Sequence, residues 1–191
     1  QAAMTQNGVK RGFMNAASPG VISLFLQSDF YKSREAYLAA LADAMRDEYE
    51  AIVGAGLDLQ LDCPDLALSR HMLFTDLSDA EFVKIADSHV EALNHALENI
   101  PAEKVRLHIC WGNYEGPHCC DIPMDTMFST LMRAKPSYVL FETSNPRHAH
   151  EWATFRDRKS EIPDTKILVP GVVDTTTNFV EHPELVAQRI E

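Results

Sequence analysis

Hydrophobic and polar positions along this chain follow two periods in turn, and the turn-taking itself repeats. Lys10 to Ala16 is strand-like and breaks at Ser18-Pro19-Gly20, which leads into the apolar run Val21 to Leu26. Ser33 then caps a helix predicted over 34–53, where Leu38, Leu41, Met45, Tyr49 and Ile52 recur every three or four residues and Gly54 and Gly56 supply the stop. Leu57 to Asp62 reads Leu-Asp-Leu-Gln-Leu-Asp, a period-two strand that ends at Cys63-Pro64. A second long helix opens on the capping box Ser78-Asp79-Ala80-Glu81 and carries Phe82, Ile85, His89, Leu93, Ala96 and Ile100 on one face before Pro101 ends it. Lys104 to Trp111 reads as a third strand, Met124 to Ala134 as a helix and Ser137 to Glu142 as a fourth strand. Asn145-Pro146 is a cap and first-turn pair that predicts a helix running to about Lys159. Lys166 to Val173 is the fifth strand, and Pro183 opens the last helix.

Strand followed by helix, five times over, predicts parallel strands joined by crossovers. Two architectures satisfy that rule: an open doubly wound sheet and part of a (β/α)8 barrel. No Gly-x-Gly-x-x-Gly follows the first strand and no Walker loop occurs, so a nucleotide-binding sheet loses its main support. Polar and metal-competent residues instead collect at successive strand ends: Asp62, His108 with Cys110, Glu142 and Asp174. A barrel brings the carboxyl ends of its strands to one mouth, where such folds do their chemistry. The expected fold is therefore α/β, a TIM barrel present as a partial barrel of about five βα units. A complete one takes about 250 residues. Residues 1–191 are thus expected to form one domain, truncated at one or both ends, with open edges covered by a second copy or a complementing segment.

Composition narrows the setting. With 46% hydrophobic and 24% charged residues the chain is globular in type, which disfavours disorder and fibrous repeats. It holds no apolar run long enough for a membrane span and no basic stretch ahead of an apolar core near Gln1, so a cytoplasmic protein is expected. The net charge of -11 comes without clustered Lys or Arg, which argues against nucleic acid or an anionic membrane as a partner. Four cysteines, two of them adjacent, are too few for a disulfide scaffold and read as reduced thiols or metal ligands.

The most specific local feature is His108-Ile109-Cys110. Residues i and i+2 of a strand point the same way, so this imidazole and thiol can reach one cation. Glu142 ends the next strand, and neighbouring strand ends lie about 4.8 Å apart, so its carboxylate can join them. Its alternative partner is Arg147. Nitrogen, sulfur and oxygen donors together suit Zn2+. Asp62 is a further mouth carboxylate, with capping of the loop at Pro64 as its bland role. Arg70 is a candidate for an anionic substrate tail or a rim salt bridge. Trp111 and Tyr114 are candidates for stacking on a flat ring, with core packing the alternative for Trp111. His89, on an inward helix face, reads as a hydrogen-bonded core histidine. His71, His118, His148 and His150 read as solvated surface residues, and Cys119 and Cys120 as loop or packing cysteines.

Taken together, Leu-Gln-Leu-Asp-Cys-Pro (59–64), His-Ile-Cys-Trp-Gly-Asn-Tyr (108–114), Val-Leu-Phe-Glu-Thr-Ser (139–144) and Val-Pro-Gly-Val-Val-Asp (169–174) resemble the catalytic domain of cobalamin-independent methionine synthase. They are more similar still to the shorter single-barrel proteins grouped with it. The resemblance runs from about Lys10 to the end and keeps motif order and approximate spacing. It implies a (β/α)8 barrel whose zinc binds a substrate thiol, with methyl transfer from 5-methyltetrahydrofolate polyglutamate to homocysteine to give methionine. Position by position it implies His108, Cys110 and Glu142 as zinc ligands and Asp62 as the residue that holds the amino-acid substrate. Three positions depart from the pattern. The family's last zinc ligand, a cysteine after a later strand, has no counterpart in 1–191. The family's Asp-x-His reads Asp174-Thr175-Thr176, which leaves the acid for the leaving folate unassigned beyond Asp174 itself. The acidic residue that often follows the family's Asp is Cys63, expected to alter the amino-acid pocket. Those departures keep two other readings open: alkyl transfer to another small thiol such as coenzyme M, and a catalytically incomplete zinc-binding module.

Overall fold

The computed structural model describes residues 1–191 throughout. A short helix α1 (Ala2–Gln6) precedes β1 (Phe13–Ala17), and α2 (Pro19–Phe25) and α3 (Arg34–Gly54) lead to β2 (Asp58–Cys63). Helices α4 (Leu68–Met72) and α5 (Asp79–Ala96) connect to β3 (Val105–Ile109), and α6 (Met124–Arg133) to β4 (Tyr138–Glu142). The chain closes with α7 (Trp152–Asp157), β5 (Ile167–Gly171) and α8 (Pro183–Ile190). The five strands form one parallel sheet in the order β1-β2-β3-β4-β5. Sequential parallel strands with helical crossovers are the pattern of a TIM-barrel-like fold, present here as a partial barrel.

Local chemistry sets most of these boundaries. Ser33 accepts from the Ala36 amide at 3.2 Å, which starts α3. Ser78 and Glu81 form both halves of their capping box, which starts α5. Ser18-Pro19 is a helix start rather than a simple break, because the Ser18 hydroxyl accepts from the Val21 amide and Pro19 occupies the first turn.

One predicted element differs. The helix expected from Pro146 to Lys159 is reduced to α7, and residues 147–151 are turns. Asn145 does cap, its Oδ1 accepting from the amides of Arg147 and His148 at 3.0 Å each. The turn stays open because the buried His148 side chain is bound by Glu151 and Asp121, a contact 27 residues away in sequence.

Burial alternates along the strands and separates two faces of the sheet. Leu59, Leu61 and Cys63, then Val105, Leu107 and Ile109, then Val139 and Phe141 are buried and join Tyr49, Phe82, Leu93, Phe128 and Phe155 of the helices in one core. Each fully buried side chain of this size contributes about 1.5–3 kcal/mol. The opposite face presents Asn15, Gln60, Asp62, Arg106, His108, Tyr138 and Glu142, none of which enters that core. Cys63 therefore does not border Asp62's surroundings as expected: one residue along a strand reverses the side, and its thiol lies wholly buried among helices.

A buried polar node ties the first two strand ends to α5. Asp65 accepts from the Ser18 hydroxyl at 2.6 Å and from His89 Nδ1 at 3.0 Å, while Arg34 donates to His89 Nε2 at 3.0 Å. His89 is thus the hydrogen-bonded core histidine its helix position implied. Gly20 packs against the node so closely that an added Cβ would stand 2.0 Å from Asp65 Oδ2 and 2.7 Å from His89 Nδ1. Gly20→Ala is expected to destabilise the fold by about 2–4 kcal/mol through this buried network. Thermal unfolding checks it, and an unchanged midpoint would show that the node can shift freely.

Candidate functional site

In the β2–β3 register Asp62 stands opposite His108, and both project from the open face at the carboxyl end of the sheet. Asp62 Oδ1 lies 2.8 Å from His108 Nδ1, so the ring donates there and leaves Nε2 as its lone-pair nitrogen. Cys110 follows on the same side, and donor atoms of Asp62, His108 and Cys110 all lie within 4.8 Å of one another. These residues line a cleft of about 290 Å³ together with Glu142, Gly112, Asn145 and Thr175.

Gly112 has a structural reason to be glycine. Its φ is +82° and an added Cβ would meet Leu68 Cδ1 at 2.9 Å. In that conformation its amide points at Cys110 Sγ, 3.3 Å away, a donor that favours thiolate. Burial acts against it and, with the negative charges of Asp62 and Glu142, holds the Cys110 thiol above its ordinary pKa.

The Glu142 carboxylate borders the cleft without joining the group of three. Its Oε1 accepts from the Ser144 amide, from the Ser144 hydroxyl at 2.7 Å and from the Asn145 amide at 3.1 Å, so one oxygen is committed to the loop after β4. Its expected alternative partner, Arg147, reaches the Gly116 carbonyl instead.

The other sequence candidates are engaged in structural contacts, and of them only Trp111 borders the cleft. Arg70 is buried, pairs with Asp79 at 3.3 Å and donates to the Phe74 carbonyl at 2.8 Å, so it holds the α4–α5 connection and is not among the cleft residues. Trp111 is only 2% exposed, its indole donates to the Ile122 carbonyl and packs on His148, so it serves the core and offers no free flat face. Tyr114 is half exposed and stacks on His118, away from the cleft. Asp174 Oδ1 accepts from both the amide and the hydroxyl of Thr176, which makes it a turn-former outside the cleft lining.

Two loop histidines expected at the surface have buried side chains. The His118 side chain is 0% exposed, His148 is 3% exposed, and Asp121 bridges them. The loop before α6 and the turns before α7 pack on one another at these two side chains, while Glu115, Cys119 and His150 stay exposed. The spacings His118-x-x-Asp121 and His148-x-x-Glu151 were the signal available in the sequence, since each pair meets at 2.9 Å.

The fold has a solved counterpart. Over 97% of this chain and 51% of the other, the structure superposes at a TM-score of 0.71 and 20% identity on a B12-independent methionine synthase from Shewanella sp. W3-18-1 in complex with selenomethionine. The two chains share a fold. This chain spans about half the length of that one. Scans against protein-family models and curated proteins give no match. No helix of the structure is long and apolar enough to cross a membrane.

Burial lowers the pKa of His148, but hydrogen bonds to Asp121 and Glu151 and their charges outweigh it and raise it to about 9, from an ordinary 6.5. A raised histidine pKa stabilises the fold fully below about 6.5, and that contribution is lost as pH rises through about 9. Asp121 has the opposite sign: its pKa is lowered, so its contribution disappears in acid, below the ordinary carboxylate value. Stability is therefore expected to fall by on the order of 2 kcal/mol between pH 6.5 and 9, allowing for partial screening. Urea titrations at several pH values check this, and His148→Gln is expected to flatten the alkaline slope.

Proposed function

We propose that this chain supplies the thiol-activating site of a zinc-dependent methyltransferase that methylates homocysteine, giving methionine. The observation that carries this reading is the convergence of Asp62, His108 and Cys110 at the carboxyl end of a sheet that superposes on a B12-independent methionine synthase. The donor set fits the metal, because a neutral imidazole nitrogen, a thiol sulfur and carboxylate oxygens are zinc's ordinary ligands. His108 and Cys110 would hold Zn2+ with the Glu142 carboxylate, whose second oxygen has no hydrogen-bond partner within the chain. When bound, the metal lowers the pKa of a substrate thiol so that it is thiolate at neutral pH.

The chain's own groups do the positioning. Asp62 accepts from His108 Nδ1–H, which fixes the ring's tautomer and orientation. Its other oxygen is free to pair with the ammonium of an amino-acid substrate, a charge-assisted contact. The Gly112 amide supports negative charge on Cys110 sulfur. The methyl donor on this reading is 5-methyltetrahydrofolate, as polyglutamate, and the setting is the reducing cytoplasm, in keeping with four unpaired cysteines. Phe13 and Met14 on β1 and Ile167 on β5 are about half exposed at the two sheet edges, and on this reading a second copy or complementing polypeptide covers them.

Cys110→Ser is expected to weaken zinc binding in the cleft at least 100-fold and to abolish homocysteine binding, measured by titration calorimetry on the zinc-loaded chain. Zinc bound without any thiol affinity would leave only a zinc-binding module. Methyl transfer assayed with mono- and triglutamate donors is expected to yield methionine, and alkylation of coenzyme M in its place would reassign the acceptor. Sedimentation is expected to show a species larger than the 21.4 kDa of one chain.

A further inference from the structure

We infer that His71, Cys119 and Cys120 form a second metal site, a structural clip for a thiophilic d10 cation, with Zn2+ the ion it fits. The site lies apart from the cleft described above, none of whose lining residues it shares. One ring nitrogen of His71 and the two sulfurs lie within 4.8 Å of one another. The sulfurs themselves are 3.5 Å apart. Two thiolates at about 2.3 Å from a tetrahedral zinc stand about 3.8 Å apart, so the sulfur pair needs to open by only a few tenths of an ångström, with the imidazole drawn in from within 4.8 Å.

Hydrogen bonds hold His71 in a ligating form. The Tyr114 hydroxyl donates to the Pro117 carbonyl at 3.3 Å, so at 2.7 Å it accepts from His71 Nε2–H. That arrangement leaves Nδ1 with the lone pair, and Nδ1 is buried with no partner in the chain. A buried polar atom without a partner costs about 1–3 kcal/mol, a cost a bound cation removes. The neighbouring His118 repeats the pattern. Its Nδ1 is held by Asp121 at 2.9 Å, its Nε2 is buried and unpartnered, and its ring stacks on His71 with centroids 4.7 Å apart. A histidine that gives one nitrogen to a carboxylate and keeps the other bare is the arrangement metal-binding histidines use.

Charge and position agree with the role. Binding releases two thiol protons for one dication, so the filled site of two thiolates and one imidazole is neutral. It joins α4, which carries His71, to the loop of residues 110–123, which carries both cysteines. That loop begins at Cys110 and contains Gly112, so a clip there holds the cleft's own wall in place without touching the substrate.

The test uses the whole chain, reduced, stripped by chelator and reloaded with Zn2+ or Co2+. Two zinc ions per chain are expected by plasma emission, one lost in Cys119→Ser/Cys120→Ser and the other in Cys110→Ser. Cobalt should give a sulfur-to-metal charge-transfer band that the double variant diminishes, and zinc should slow alkylation of Cys119 and Cys120 at least tenfold in peptide maps. A metal-free double variant melting with the metal-free parent separates site loss from misfolding. Zinc lost in Cys110→Ser alone, with Cys119 and Cys120 alkylated equally fast with and without zinc, would overturn the clip and leave the cleft reading intact. A single ion in the parent chain, retained in Cys110→Ser and lost in the double variant, would support the clip and refute zinc in the cleft.

Discussion

The parallel register of β2 against β3 is the constraint on which the site depends. It pairs Asp62 with His108, and since side chains alternate along a strand, the same register that buries Leu61 and Ile109 turns those two polar groups to the open face. A slip of one residue would exchange the two sets, exposing apolar side chains and burying a carboxylate and an imidazole. The hydrophobic core therefore enforces the polar geometry. Phe82, Leu93 and Tyr49 from the helices reward one register alone, and the cleft follows from it.

A second layer of constraint is polar and buried. Asp65 gathers Ser18 and His89 from segments far apart in sequence, and Arg34 completes the chain of contacts. This node sits just beyond the end of β2, three residues from Asp62, so it holds the turn that carries the site carboxylate. On the other side of the cleft, Asp121 links His118 to His148, and Glu142 binds the amides of the loop after β4. The segments that flank the cleft are thus each held by a carboxylate that accepts from more than one donor. Such networks specify a single arrangement because any partial version leaves a buried polar group unsatisfied.

Much of the fold was legible in the chain. Ser33, Ser78 with Glu81, and the period-two runs of β2 and β3 encode their elements within a few residues, and the strand-helix rhythm pointed to the parallel sheet. The site was legible in part. His108 and Cys110 share a side by simple alternation, but the close partner of His108 proved to be Asp62, with Glu142 bound to its own loop. The α7 region, Cys63 and the side chains of His118 and His148 depart from their local sequence patterns for one reason. In each, a contact with a distant segment, or the side of the sheet a residue takes, overrode what its neighbours suggested.

The sequence by itself determined the elements, their order and which strand residues share a face, because caps and alternation act between residues at most a few positions apart. Only the tertiary structure decided which carboxylate meets His108, which is 46 residues from Asp62, and whether a loop histidine faces water or another loop. Those outcomes depend on register and loop path. Both are set by the packing of the whole core, so no short stretch of sequence contains them.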